Sequence, residues 1–212
     1  MARPLLPVLL LPLALLAACA PQAEAERPVV VASVAPIVDV VYNVGCDRIE
    51  LVQTVPDGAD SHTYRPPPSV VKDVARADLI VLNGLHLELP MLELAEANRK
   101  ADAPILLLGD NTITRDEWVF DFSFPQEEGD PNPHLWPNPM HVVRYTELVR
   151  DALVEVDPAN ADFYRQNAER FIERLQELDQ AIFRVAESIP PQNRKLLTYH
   201  DSWAYFAPRY GF

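Results

Sequence analysis

Five histidines punctuate this chain, and three of them share a context. His62 lies in Gly58-Ala59-Asp60-Ser61-His62-Thr63-Tyr64, His134 in Asn132-Pro133-His134-Leu135-Trp136-Pro137, and His200 in Thr198-Tyr199-His200-Asp201-Ser202. Separations of 72 and 66 residues exclude a local finger or a helix-borne motif such as HExxH, so any meeting is made across the fold. Neutral imidazole is a good ligand for zinc and an acceptable one for manganese or iron. Turn residues before His62 and prolines beside His134 would fix those backbones in advance, which lowers the entropy lost on binding. The alternative is three loop histidines, each hydrogen-bonded separately. His86, in an apolar setting, is expected as a surface or capping residue. His141, separated from His134 by Pro137 and Pro139, is expected as a polar residue in the first turn of a helix. The acidic residues Asp116, Glu117, Asp121, Glu127, Glu128 and Asp130 are expected in a solvated loop. No nucleophile with a partnered base stands out, so no catalytic residue is assigned.

Periodicity supplies the elements that must position these side chains. Residues 29–33 form a β-branched run suited to a buried parallel strand. Pro36 opens a helical stretch with Ile37, Val40, Val41 and Val44 on one face, ending near Gly45. Further strands are expected over 49–55, 79–82 and 105–108, and helices over 68–75 and 89–97. Strands alternating with helices imply crossovers and a parallel sheet covered on both faces. Between residues 109 and 139 both periods vanish, leaving a loop long enough to be functional. A helix resumes over 140–156. From Pro158 a stripe of Phe163, Asn167, Phe171, Leu175, Leu178, Ile182 and Val185 predicts a helix of about 30 residues, roughly 45 Å long. Pro190-Pro191 stops it. Residues 195–199 read as a fifth strand, and Ser202 as the cap of a last short helix running to Pro208. Each of the three histidines thus follows the carboxyl end of an expected strand, the edge where open α/β sheets take ligands.

The first residues address the compartment. Arg3 precedes an apolar stretch over 5–16 that is too short to span a bilayer and has the form of a secretory signal. Leu16-Ala17-Ala18-Cys19 has the form of a lipobox, so lipid on Cys19 would hold the chain at a membrane surface, with residues up to 28 as a tether. One other cysteine, Cys46, excludes a disulfide framework and a cysteine-based zinc site. A net charge of −13 argues against nucleic acid as a partner.

At the three histidine segments the sequence resembles the zinc- and manganese-binding solute-binding lipoproteins of ABC importers, and the likeness runs from residue 29 to 212. The family's G-A-D-P-H-x-Y-x-P-x-P is met by Gly58-Ala59-Asp60-Ser61-His62-Thr63-Tyr64-Arg65-Pro66-Pro67-Pro68. Its A-D-L-I-V-x-N-G-L-x-L-E is met from Ala77 to Glu88, its D-P-H-x-W by Asn132-Pro133-His134-Leu135-Trp136, and its H-D-x-x-x-Y-F-A-x-x-Y-G from His200 to Gly211. Ser61 stands where proline is common, and Asn132 and Asn138 where aspartate is common.

The resemblance implies a two-lobed α/β fold: a four-stranded parallel sheet with helices on both faces, one long connecting helix, and a second lobe that is incomplete at Phe212. The implied divisions are a signal peptide (1–18), a lipidated cysteine and tether (19–28), an N-terminal lobe (29–156), a connecting helix (157–190) and the start of a C-terminal lobe (191–212). His62 and His134 from the first lobe and His200 from the second would hold one metal ion in the cleft, with a fourth ligand, commonly aspartate, further along. Histidine in place of glutamate at position 200 favours zinc, with manganese as the alternative. A second lobe of about 20 residues cannot bury its own core, so weak metal binding or poor closure is expected of this chain. The implied protein is a monomer, not an enzyme, lipid-anchored outside the cytoplasm, on the periplasmic or cell-surface side, and delivering its ion to a permease. Alternatives are a zinc-dependent hydrolase using the same three histidines and a surface adhesin.

Overall fold

A computed structural model describes residues 26–212. The signal segment, Cys19 and most of the tether lie outside the described residues. Four strands, β1 (Val29–Ala32), β2 (Glu50–Gln53), β3 (Leu79–Leu82) and β4 (Ile105–Leu107), pair in the order β2-β1-β3-β4 with every pairing parallel. Alternation along the two central strands divides the core. Val30, Ala32, Leu79 and Val81 face one side, packing with residues of α1 (Ala35–Gly45), α4 (Pro139–Val156) and α5 (Ala161–Ser188). Val31, Ile80 and Leu82 face the other, against Val70 and Val74 of α2 (Val70–Arg76) and Met91 and Ala95 of α3 (Leu89–Asn98). A strand covered on both faces is apolar throughout, which is why β3 reads Leu-Ile-Val-Leu with all four residues buried.

The chain winds outward from β1 to β2, then returns to β3 on the other side of β1. Strand order therefore reverses between β1 and β3, the switch point at whose carboxyl ends open α/β sheets take ligands. Ser33 and Asn83, the first residues past those two strands, are both fully buried there. The backbone leaving β3 runs through three successive positive-φ residues, Gly84, Leu85 and His86. Such a run is costly for the two non-glycine residues. Its amides are held: Glu88 accepts from the backbone N–H of Asn83 and Gly84, and Asp110 accepts from that of Leu85.

Two expectations fail. Residues 195–199 form no strand, since no strand of the described residues lies alongside to complete a ladder; Leu197 and Tyr199 project fully into solvent. The last helix is α6 (Ala207–Tyr210), which begins well beyond Ser202 and receives no cap from it. The stripe of α5 is followed only in part. Asn167, Phe171 and Leu175 are buried, but Leu178 and Val185 are exposed, and the buried positions beyond are Asp179 and Ala186. The reason lies in the neighbour: Asp179 takes a bidentate pair from Arg209 at 2.6 and 2.7 Å and a hydrogen bond from the Tyr210 hydroxyl. The long loop is irregular except for short 3-10 turns at Arg115–Glu117 and Gln126–Glu128. No helix of the described residues is long and apolar enough to cross a membrane.

Candidate metal centre

The three histidines converge. His62 Nε2 lies 3.2 Å from His134 Nε2, and His200 Nε2 lies 3.0 Å from the same atom. Among the described residues this is the cluster of metal-ligating side chains, with the ligand atoms all within 4.8 Å of one another. Two nitrogens bound tetrahedrally to one zinc at 2.0–2.1 Å would stand about 3.3 Å apart. The two separations from His134 are close to that edge, and the third lies within 4.8 Å. Three imidazoles directed at one point form a donor set that a borderline-soft divalent ion satisfies.

Each histidine is placed by different means. His62 follows β2, and its backbone N–H donates to Asp60 Oδ1 at 3.0 Å while Thr63 Oγ1 donates to Asp60 Oδ2. This Asx-type turn fixes the loop locally. His134 is buried at the end of the long loop. The C=O of the preceding Pro133 accepts from Asn83 Nδ2 at 3.0 Å, and Asn83 Oδ1 accepts from the Tyr145 hydroxyl at 3.0 Å, tying the histidine to β3 and α4. Asn132 Oδ1 accepts from the His134 backbone N–H at 3.0 Å and lies 2.9 Å from ring Nδ1. His200, at the surface, stands on the irregular segment after α5, so it reaches the site without a strand of its own. That segment is held by Ser123 Oγ donating to Asp201 Oδ2 at 2.6 Å, Val119 N–H donating to the Tyr205 hydroxyl at 3.1 Å and Asn138 Nδ2 donating to the Tyr205 C=O at 3.2 Å.

The surroundings keep the central ring neutral. Trp136 packs edge-on against His134 at 5.0 Å between ring centroids, and Phe124 covers both His134 and His62 at 5.7 and 5.6 Å. Burial first, then the neighbouring rings of His62 and His200, push His134 down to about 3. Burial and the His200 ring likewise lower His62. Neutral imidazole is the form that ligates.

The other singled-out residues stand apart. His86 is exposed and pairs with Asp130 at 2.5 Å, and His141 sits in the first turn of α4 against the Tyr205 ring. Cys46 follows α1 in a turn as a free thiol. Asp121 is not merely solvated, since it accepts from the backbone N–H of Ser123 and Phe124 and from Asn132 Nδ2. Asn132 and Asn138, marked in the sequence only as standing where aspartate is common, and Asn83 and Tyr205, to which the sequence alone assigns no role, all hold the site together. The signal for Asn83 was its place directly after a buried strand, at the ligand-bearing edge.

The arrangement is thus a parallel sheet with three imidazoles gathered beyond its carboxyl edge. The profile of the family described as ZnuA, zinc-uptake complex component A periplasmic, matches residues 30–212, and the chain belongs to that family. It is 33% identical over 190 residues to the manganese-binding lipoprotein MntA of Halalkalibacterium halodurans, covering 89% of this chain and 60% of that protein. It is 30% identical over 192 residues to the iron-binding protein YfeA of Yersinia pestis, covering 91% and 60%. The periplasmic zinc binding protein TroA from Treponema pallidum superposes with a TM-score of 0.80 at 29% identity, covering 88% of this chain and 65% of that one. The chain thus spans about 60% of the length of the curated relatives it matches. These relatives bear the names of metal-binding proteins, none that of an enzyme.

Proposed function

We propose that this chain is the extracytoplasmic metal-capturing component of an ABC importer, holding one divalent transition metal on His62, His134 and His200 for delivery to a permease. The observation that supports it is the approach of two exposed imidazoles to the buried Nε2 of His134, at 3.0 and 3.2 Å. Zinc is the favoured ion and manganese the alternative. Three imidazoles leave one position of a tetrahedral zinc for an oxygen ligand or water, whereas manganese prefers a carboxylate- and water-rich shell. The names of the relatives include manganese, iron and zinc, which supports a divalent transition metal as cargo without choosing among them. Residues 29–156 act as the first lobe, 157–190 as the connecting helix and 191–212 as the start of a second lobe, in a monomer tethered through lipid on Cys19.

Calorimetric titration of the purified chain with zinc and with manganese tests this reading. One zinc per chain is expected, bound more tightly than manganese. His62→Ala, His134→Ala and His200→Ala should each weaken it by more than about 100-fold, because removing a ligand costs more than removing an outer hydrogen-bond partner. Binding that ignores all three substitutions, or no binding by the unaltered chain, would sink the proposal.

A further inference from the structure

Asn132 is fully buried and uses every hydrogen-bonding position of its amide. Its Oδ1 accepts from the His134 backbone N–H and faces His134 Nδ1, while Nδ2 donates to Asp121 Oδ2 at 2.6 Å and to the Asp201 C=O at 2.5 Å. The orientation is unambiguous. Turning the amide over would set its oxygen against a carboxylate and a carbonyl, and its NH2 against an N–H. With Oδ1 facing Nδ1, the His134 ring proton belongs on Nδ1 and Nε2 keeps its lone pair toward the other two rings. On its other side the same amide grips the backbone of the residue next to His200.

We infer that Asn132 is a positioning residue that couples two of the three histidines, setting the tautomer of His134 and docking the His200 segment, and that only an amide can do both. This rests on the metal-capture reading for its purpose, not for its geometry. An aspartate here would still accept from His134. It would also face the Asp121 carboxylate at hydrogen-bonding distance with no proton between them, and would offer the Asp201 C=O no donor. An alanine would lose both sides. The loop from 109 to 138 and the segment after α5 are far apart in sequence, and this side chain links them directly, beside the hydrogen bonds of Ser123, Val119 and Asn138 and the approach of His200 to His134.

The test uses the full chain and the variants N132A, N132D and N132D/D121N. Nitrogen-15 spectra of the histidine rings, recorded with a chelator present, should show His134 protonated on Nδ1 in the unaltered chain and in N132D, and a tautomer mixture in N132A. Amide hydrogen exchange over residues 201–206 should quicken at least several-fold in both N132A and N132D. Zinc affinity should fall about 10- to 100-fold in each. In N132D/D121N the carboxamide of residue 121 can donate to residue 132, and part of the N132D loss should return. If N132A does not fold, N132D and the double variant decide the matter. An unchanged His134 tautomer in N132A, or unchanged exchange over 201–206 in N132D, would overturn the inference. If the unaltered chain binds no zinc, the metal reading fails while the tautomer and exchange results still judge Asn132.

Discussion

His134 sits between two rings of its own kind, and that company governs how the site responds to acid. In the unfolded chain it takes up a proton near 6.5. In the folded, metal-free chain burial and the two adjacent rings hold it down to about 3. Between those values the unfolded state binds the extra proton, so the stabilising contribution is complete above about 6.5 and is lost as the pH falls through the window. Thermal melts with a chelator present should show a loss of about 2 kcal/mol from His134 alone between pH 7.5 and pH 5. His134→Gln should flatten that dependence; a slope equal to that of the unaltered chain would contradict the assignment. The histidines themselves were legible because each stands among turn formers or prolines beyond the carboxyl end of an expected strand. The cross-fold contacts of Asn132 and Tyr205 were not, since Asp201 and Val119 lie 69 and 86 residues away from them and no local period marks the pairs.

At the scale of elements, the sheet and its covering helices could be read from apolar runs and their punctuation, because the two central strands, covered on both faces, are apolar throughout. The failures occur where a partner decides the outcome. Residues 195–199 have strand composition, yet a strand exists only when another chain segment completes its ladder. In α5 the apolar stripe stops reporting the buried face once the contact becomes ionic, at Asp179. Asp179→Ala should lower stability by about 3 kcal/mol in urea unfolding, because it strands Arg209 and the Tyr210 hydroxyl against a buried position. A change below about 0.5 kcal/mol would show that the pair does not anchor α6. The exit from β3 is as demanding. A Cβ on Gly84, at φ +77, would meet Asp110 Oδ2 at 2.0 Å. Gly84→Ala should therefore cost more than about 2 kcal/mol, the sum of left-handed strain and a displaced carboxylate that holds Leu85. A thermal midpoint equal to that of the unaltered chain would be inconsistent with this geometry.

For the whole molecule, the loops after β2 and β4 and the irregular segment after α5 meet at one point, the Nε2 atom of His134. The net charge of −13 favours the approach of a cation without specifying one. The proposed selectivity rests on the three imidazoles, in a chain that belongs to the ZnuA family over residues 30–212. X-ray absorption at the zinc edge, on the chain loaded with one equivalent, reads out whether the three histidines ligate the ion. A shell of three imidazole nitrogens at about 2.0–2.1 Å, reduced to two in His200→Ala, is the predicted result. A shell made mainly of oxygen, or one unchanged by His200→Ala, would contradict a centre built on His62, His134 and His200.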